Sequence, residues 1–168
     1  MPRQSIRSIV VPAAAACLAL AIAGCSVRNS SDKSEAHDQP ALAIGELMEF
    51  TQIRHAKLWF AGEAENWPLA AYETAELREG FDDVAKEPPP REGAAQPLSS
   101  MVPEFVTQPL DEMDKAIAAR DKAKFEAAFD QLTQGCNGCH EGAHVQFNRI
   151  VRPTQPPLTN QSFAPLPG

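Results

Sequence analysis

From Ala41 onward, apolar side chains recur in steps of three and four with polar residues between them, the pattern of amphipathic helices. The first run, Ala41 to Ala61, aligns Ile44, Leu47, Met48, Thr51, His55, Leu58 and then Gly62. Phe50, Ile53 and Phe60 add a second stripe, so this helix is apolar around much of its girth. It is expected to bury more than one side, against its neighbours and against a second copy of the chain in a homodimer. Gly62 stops it, and Asn66 is placed to cap a second helix that tolerates Pro68 in its first turn. Ala70, Thr74, Leu77, Phe81 and Val84 mark the inward face there, and the short link makes the two helices antiparallel neighbours. Pro88-Pro89-Pro90 ends the second run, and Lys86 to Val106 reads as a long, proline-containing connection. Thr107 then caps a third helix facing inward through Leu110, Met113 and Ile117, with Asp111, Glu112 and Asp114 early and Arg120 at its end, as the helix dipole favours. Asp121 caps a fourth, whose face runs Phe125, Phe129, Leu132, Cys136, His140 and Ala143. No stretch alternates as a strand does, and no repeat stands out. The pattern predicts an all-α fold, an antiparallel four-helix bundle over residues 41–149. A proline-rich tail, 150–168, either drapes over the bundle through Leu158 and Phe163 or hangs free.

The first 40 residues follow another logic. Arg3 and Arg7 precede an apolar run from Ile9 to Ala23, as in a secretory signal too short and alanine-rich to span a bilayer well. Its end, Ile22-Ala23-Gly24-Cys25, resembles a bacterial lipobox, which implies a signal peptide of residues 1–24 and lipidation of Cys25. Residues 25–40 are polar and read as a flexible tether, with His37 solvated in it. By resemblance to lipoprotein sorting in bacteria with two membranes, Ser26 in place of an aspartate points to the outer membrane. Removing the signal takes 15 basic side chains to 13 against 22 acidic ones, a formal charge of −9. Nucleic acid is a poor partner for such a chain, and a periplasmic redox protein with a basic docking face is a better one.

Cys136-Asn137-Gly138-Cys139-His140 is the C-x-x-C-H pattern of covalent haem attachment. Two thiols three residues apart on one helical turn face the same way and can each add to a vinyl group of one porphyrin. The adjacent His140 then brings an imidazole under the iron as proximal ligand. A thioredoxin-like C-x-x-C asks for a βαβ context, whereas these flanks are helical. A zinc site asks for a second ligand pair, which His37, His55 and His144 do not form. Four cysteines are then accounted for: Cys17 leaves with the signal, Cys25 takes lipid, and Cys136 and Cys139 take haem c. Gly135 and Gly138 each cost a helix about 1 kcal/mol and read as clearance for the porphyrin.

Four helices with this motif late in the last resemble the class II c-type cytochromes, the cytochrome c′ family and its low-spin relatives, over Ala41 to about Phe147. In low-spin members a methionine on the first helix, shortly before an arginine, is the sixth iron ligand. Met48, ahead of Arg54, matches that place. Trp67-Pro68-Leu69-Ala70-Ala71 falls where the family opens its second helix with an aromatic residue, and His144 stands where it usually has a basic one. In five-coordinate members an apolar residue replaces the methionine and small gases bind the iron.

The residues themselves leave the sixth ligand open. Met48 and His55 are seven apart, two turns and about 10 Å along the helix, so both cannot reach one iron. Met48 fits the family position, His55 is the stronger ligand type, and a vacant site is the third option. Arg54 is a candidate partner for a haem propionate, and Trp59, Phe125 and Phe129 are candidate walls of the porphyrin pocket. With a filled sixth site the chain is expected to be a membrane-tethered one-electron carrier on the periplasmic face of the envelope, not an enzyme. The alternative is a five-coordinate protein binding nitric oxide or carbon monoxide. Peroxidase-like chemistry would need a distal acid–base group, for which His55 is the candidate.

Overall fold

The computed structural model describes residues 43–89 and 92–167. The expected signal peptide, Cys25 and the tether lie outside them. The described residues form four helices and no strand: α1 (Ile44–Glu63), α2 (Trp67–Val84), α3 (Leu98–Ala119) and α4 (Lys122–Gly142). None is long and apolar enough to cross a membrane.

Local chemistry explains most of the boundaries. Glu65 turns the chain out of α1 with a left-handed backbone (φ 53°). Asn66 Oδ1 then accepts the Leu69 N–H at 3.3 Å, with Pro68 in the first turn of α2. Arg120 closes α3 in the left-handed region (φ 52°), and Asp121 Oδ1 accepts the Lys124 N–H at 3.1 Å to open α4.

The start of α3 corrects the sequence reading. The helix begins at Leu98, so Thr107 lies in its interior and Pro103 and Pro109 are both inside it. An interior proline costs about 3 kcal/mol. Burying Leu98, Met101, Val102 and Val106, which continue the stripe of Leu110, Met113 and Ile117, returns about 1.5–3 kcal/mol each and outweighs it. The connection shrinks to 85–97. It docks on the end of α4 through Ala95 N–H to Gly142 carbonyl (3.1 Å) and His144 Nε2–H to Gly93 carbonyl (2.7 Å).

Helix α3 packs along α4, α1 along α2, and α2 against α3, whereas α1 and α4 touch sparsely. Gly135 and Gly138 serve the α3–α4 contact, which corrects their reading as porphyrin clearance. A Cβ on Gly135 would collide with the Phe105 carbonyl oxygen, and one on Gly138 would sit 2.7 Å from the Phe105 ring. Gly135→Ala is therefore expected to destabilise the fold by about 1–3 kcal/mol, as overpacking does. Gly45→Ala, with nothing within 4 Å of the new carbon, should be neutral or stabilising in the same thermal melts.

The α1–α2 seam holds a charge cluster that hydrophobic periodicity did not reveal. Glu73 is fully buried on the apolar stripe of α2, where Arg54 (3.1 Å) and Lys57 (2.7 Å) pair with it; Arg54 also meets Glu76 at 2.6 Å.

The proline-rich tail lies along the bundle. Arg152 pairs with Asp130 at 2.6 Å and stands 4.4 Å over the Trp59 ring. Phe163 packs on Phe60 (5.6 Å), and Asn66 Nδ2 donates to the carbonyls of Phe163 and Ala164. The tail thus covers part of the second apolar stripe of α1, while Phe50 on the same stripe stays 57% exposed.

Candidate functional site

Where α1 and α4 part, a cleft of about 430 Å³ opens. Its first wall is α1, through Met48, Glu49, Thr51, Gln52 and His55. Its second is α4, through Cys136 and His140, and its third is the chain beyond α4, Phe147 to Ile150. A smaller void of about 30 Å³ touches the same Met48, Cys136 and His140 and adds Cys139 and an apolar lining of Phe81, Val84, Val102 and Val106. The motif residues and Met48, almost 90 positions apart in sequence, thus share one space.

Cys136 and Cys139 are free thiols on adjacent turns near the end of α4. Burial pushes the Cys136 thiol up to about 12, helped by the neighbouring Cys139, and burial raises Cys139 as well. Redox-active thiols owe their low pKa to helix N-termini or nearby cations. This pair sits at the opposite, electronegative end of its helix.

His140 is fixed by a backbone partner. Its Nδ1–H donates to the Asn148 carbonyl at 2.6 Å, which leaves Nε2 as the ring's lone-pair nitrogen. Metal-bound histidines typically donate their other N–H in this way. Asn137, a spacer residue of the motif, grips the same segment. Its Nδ2 donates to the Ile150 carbonyl (2.9 Å), and its Oδ1 accepts the Ile150 N–H (2.8 Å). Neither contact was legible in the sequence, where Asn137 is a spacer and residues 148–150 straddle the expected boundary between bundle and tail.

His55 is buried, 4% exposed, with its ring 4.3 Å from that of Phe129. Its Nε2 lies 2.9 Å from Thr133 Oγ1, and that hydroxyl spends its proton on the Phe129 carbonyl at 2.9 Å. His55 is therefore the donor, neutral and protonated on Nε2. Burial lowers its pKa from 6.5 to about 4. Above pH 6.5 the ring is neutral folded or unfolded. Between 6.5 and 4 the unfolded chain takes a proton that the native state refuses, so stability falls by up to about 3 kcal/mol. Urea titrations across that range should show the loss, and His55→Gln should flatten it.

The other expected pocket residues lie elsewhere. Arg54 is held by Glu73 and Glu76 on the α1–α2 seam. Trp59, Phe125 and Phe129 pack on one another, with Trp59 and Phe129 centroids 4.8 Å apart, and form core beneath the tail instead of lining the cleft. Among the described residues no cluster of three or more histidine, cysteine, aspartate or glutamate side chains is set to hold a metal ion. Comparison of the chain with known family models, curated proteins and solved structures returns no match.

Proposed function

We propose that this chain is a covalent haem c protein of the class II cytochrome kind and carries single electrons in the cell envelope. One observation carries the reading: Cys136, His140 and Met48 converge on a single cleft, with Cys139 behind them and His140 Nε2 left free by the carbonyl bond to Nδ1. A porphyrin would bring most of its iron's ligands with it, so the protein would have to supply only side chains such as His140 and Met48 and no multidentate cluster. The cleft volume falls within the range usual for bound cofactors. The helices suit the family's antiparallel bundle: Arg54 pairs with Glu73 and Thr51 abuts Gly80, so α1 and α2 run in opposite senses, and the end of α1 meets the start of α4 through Glu63 and Lys122.

His140 is assigned as the proximal ligand and Met48 as the distal one. His55 lines the same cleft, but its Nε2 is committed to Thr133, and that favours Met48. Haem, if bound there, would supply the redox change, and His140, oriented by the Asn148 carbonyl, and Met48 would hold its iron. Cys136 and Cys139 would anchor the group, and the buried apolar side chains behind them would keep water from it. The acidic mature chain suits a basic redox partner, and a lipid on Cys25 would hold the carrier at the periplasmic face of a membrane.

The test is the absorption spectrum of the reduced protein with and without carbon monoxide. A saturated iron leaves it unchanged. A prompt shift on adding the gas would replace the carrier reading with the five-coordinate, gas-binding one.

A further inference from the structure

Resting on the haem reading, we propose that Arg149 is the carboxylate-holding residue of the cleft and that it pairs there with a haem propionate. Among the described residues the α1–α4 cleft is lined by one arginine and no lysine. Its other titratable groups are Glu49 and His55 from α1 and Cys136 and His140 from α4. Arg54, the expected counter-ion, is already committed to Glu73 and Glu76. Among the described residues every lysine and arginine except Arg120 and Arg149 has a carboxylate within ion-pair distance. Arg120 closes α3 and does not line the cleft. Arg149 does, and it is not paired with Glu49 on the α1 wall. In an acidic protein, an arginine left without an acid beside a ligand-sized cleft is suited to an anionic group of the occupant.

Its placement is built into the motif. Asn148, just before it, is bonded through its carbonyl to His140 Nδ1; Ile150, just after it, is held from both sides by the Asn137 amide. Two residues of C-x-x-C-H thus fix the backbone on either side of Arg149. The segment that orients the proximal histidine also delivers the cation, and proline-rich chain beyond it runs on along the bundle to Asn66.

A carboxylate near the iron favours the oxidised state, and a guanidinium on that carboxylate opposes it. Midpoint potentials of the haem-loaded full-length protein, measured at one pH and ionic strength, provide the test. Arg149→Gln should lower the potential, Arg149→Glu should lower it further, and Arg149→Lys should retain most of the wild-type value. Arg120→Gln, which removes the same charge at a distance, should leave it nearly unmoved. Equal shifts from Arg149→Gln and Arg120→Gln, or none from either, overturn the assignment. A crystal structure of the unaltered haem-loaded protein provides a second reading. A propionate within hydrogen-bond distance of the Arg149 guanidinium is expected, and a guanidinium turned to solvent overturns the proposal. A wild-type chain without covalent haem overturns this inference together with the function it rests on, whereas a haem-loaded chain with unresponsive Arg149 variants overturns this inference alone.

Discussion

Replacing Cys136 and Cys139 together with alanine is expected to remove all haem that survives denaturation. On the haem reading each thiol would be the sole anchor for one vinyl position, and among the described residues these are the two cysteines. Cys136→Ala or Cys139→Ala alone should leave one thioether, visible as haem still attached after denaturation but with a shifted reduced spectrum, because one vinyl remains unsaturated. The double variant should also lose stability. Without an occupant, a cleft of about 430 Å³ stays between α1 and α4, whose direct contact is sparse. Any bound group stabilises the fold that binds it by mass action, and a covalent one cannot dissociate. A double variant that retains haem in denaturant would show that other atoms hold it. Haem stains of denaturing gels, read beside melting temperatures, separate these cases.

The second large effect is expected at Met48. Met48→Ala removes the one thioether among the described residues that lines both the cleft and the apolar void behind the motif. The reduced protein should then bind carbon monoxide promptly where the wild type does not. Its potential should fall, since methionine opposite histidine raises it. His55→Ala is the discriminating partner. With Nε2 given to Thr133, His55 is expected to leave spin state and gas binding as they are and to cost stability instead, because Thr133 Oγ1 loses its donor. Reversed outcomes, with His55→Ala opening the iron and Met48→Ala inert, would move the sixth ligand one α1 turn pair along and require the histidine to leave Thr133.

Much of the fold was legible because its signals are local. The Asn66 and Asp121 caps, the stripe from Phe125 to Leu132, and the close of α1 near Gly62 depend on residues within a turn or two of one another. The start of α3 was not legible, because Pro103 is a local breaker while the burial of Leu98, Met101 and Val102 is a tertiary gain. Glu73 leaves a trace in the sequence: a carboxylate within the Ala70–Leu77 stripe must find cations, and Arg54 and Lys57, both on α1, are those it finds. That pairing removes Arg54 from the cleft.

The candidate site divides the same way. C-x-x-C-H stands out by spacing alone, and Met48 is singled out by the resemblance of its place on the first helix to the low-spin class II cytochromes. The aromatic residues Trp59, Phe125 and Phe129 looked like pocket walls because spacing marks them as buried without saying against what. They pack on each other, and Arg152 of the tail closes over Trp59. The third wall depends on hydrogen bonds from Asn137 and His140 to a segment that leaves no periodic pattern.

The intact mass of the exported, purified full-length chain, taken under denaturing conditions after treatment with a thiol-alkylating reagent, bears most directly on a haem bound through both sulfurs. The expected result is a mass raised by one haem, with Cys136 and Cys139 both refractory to alkylation. A haem-free mass with both thiols alkylated would contradict it.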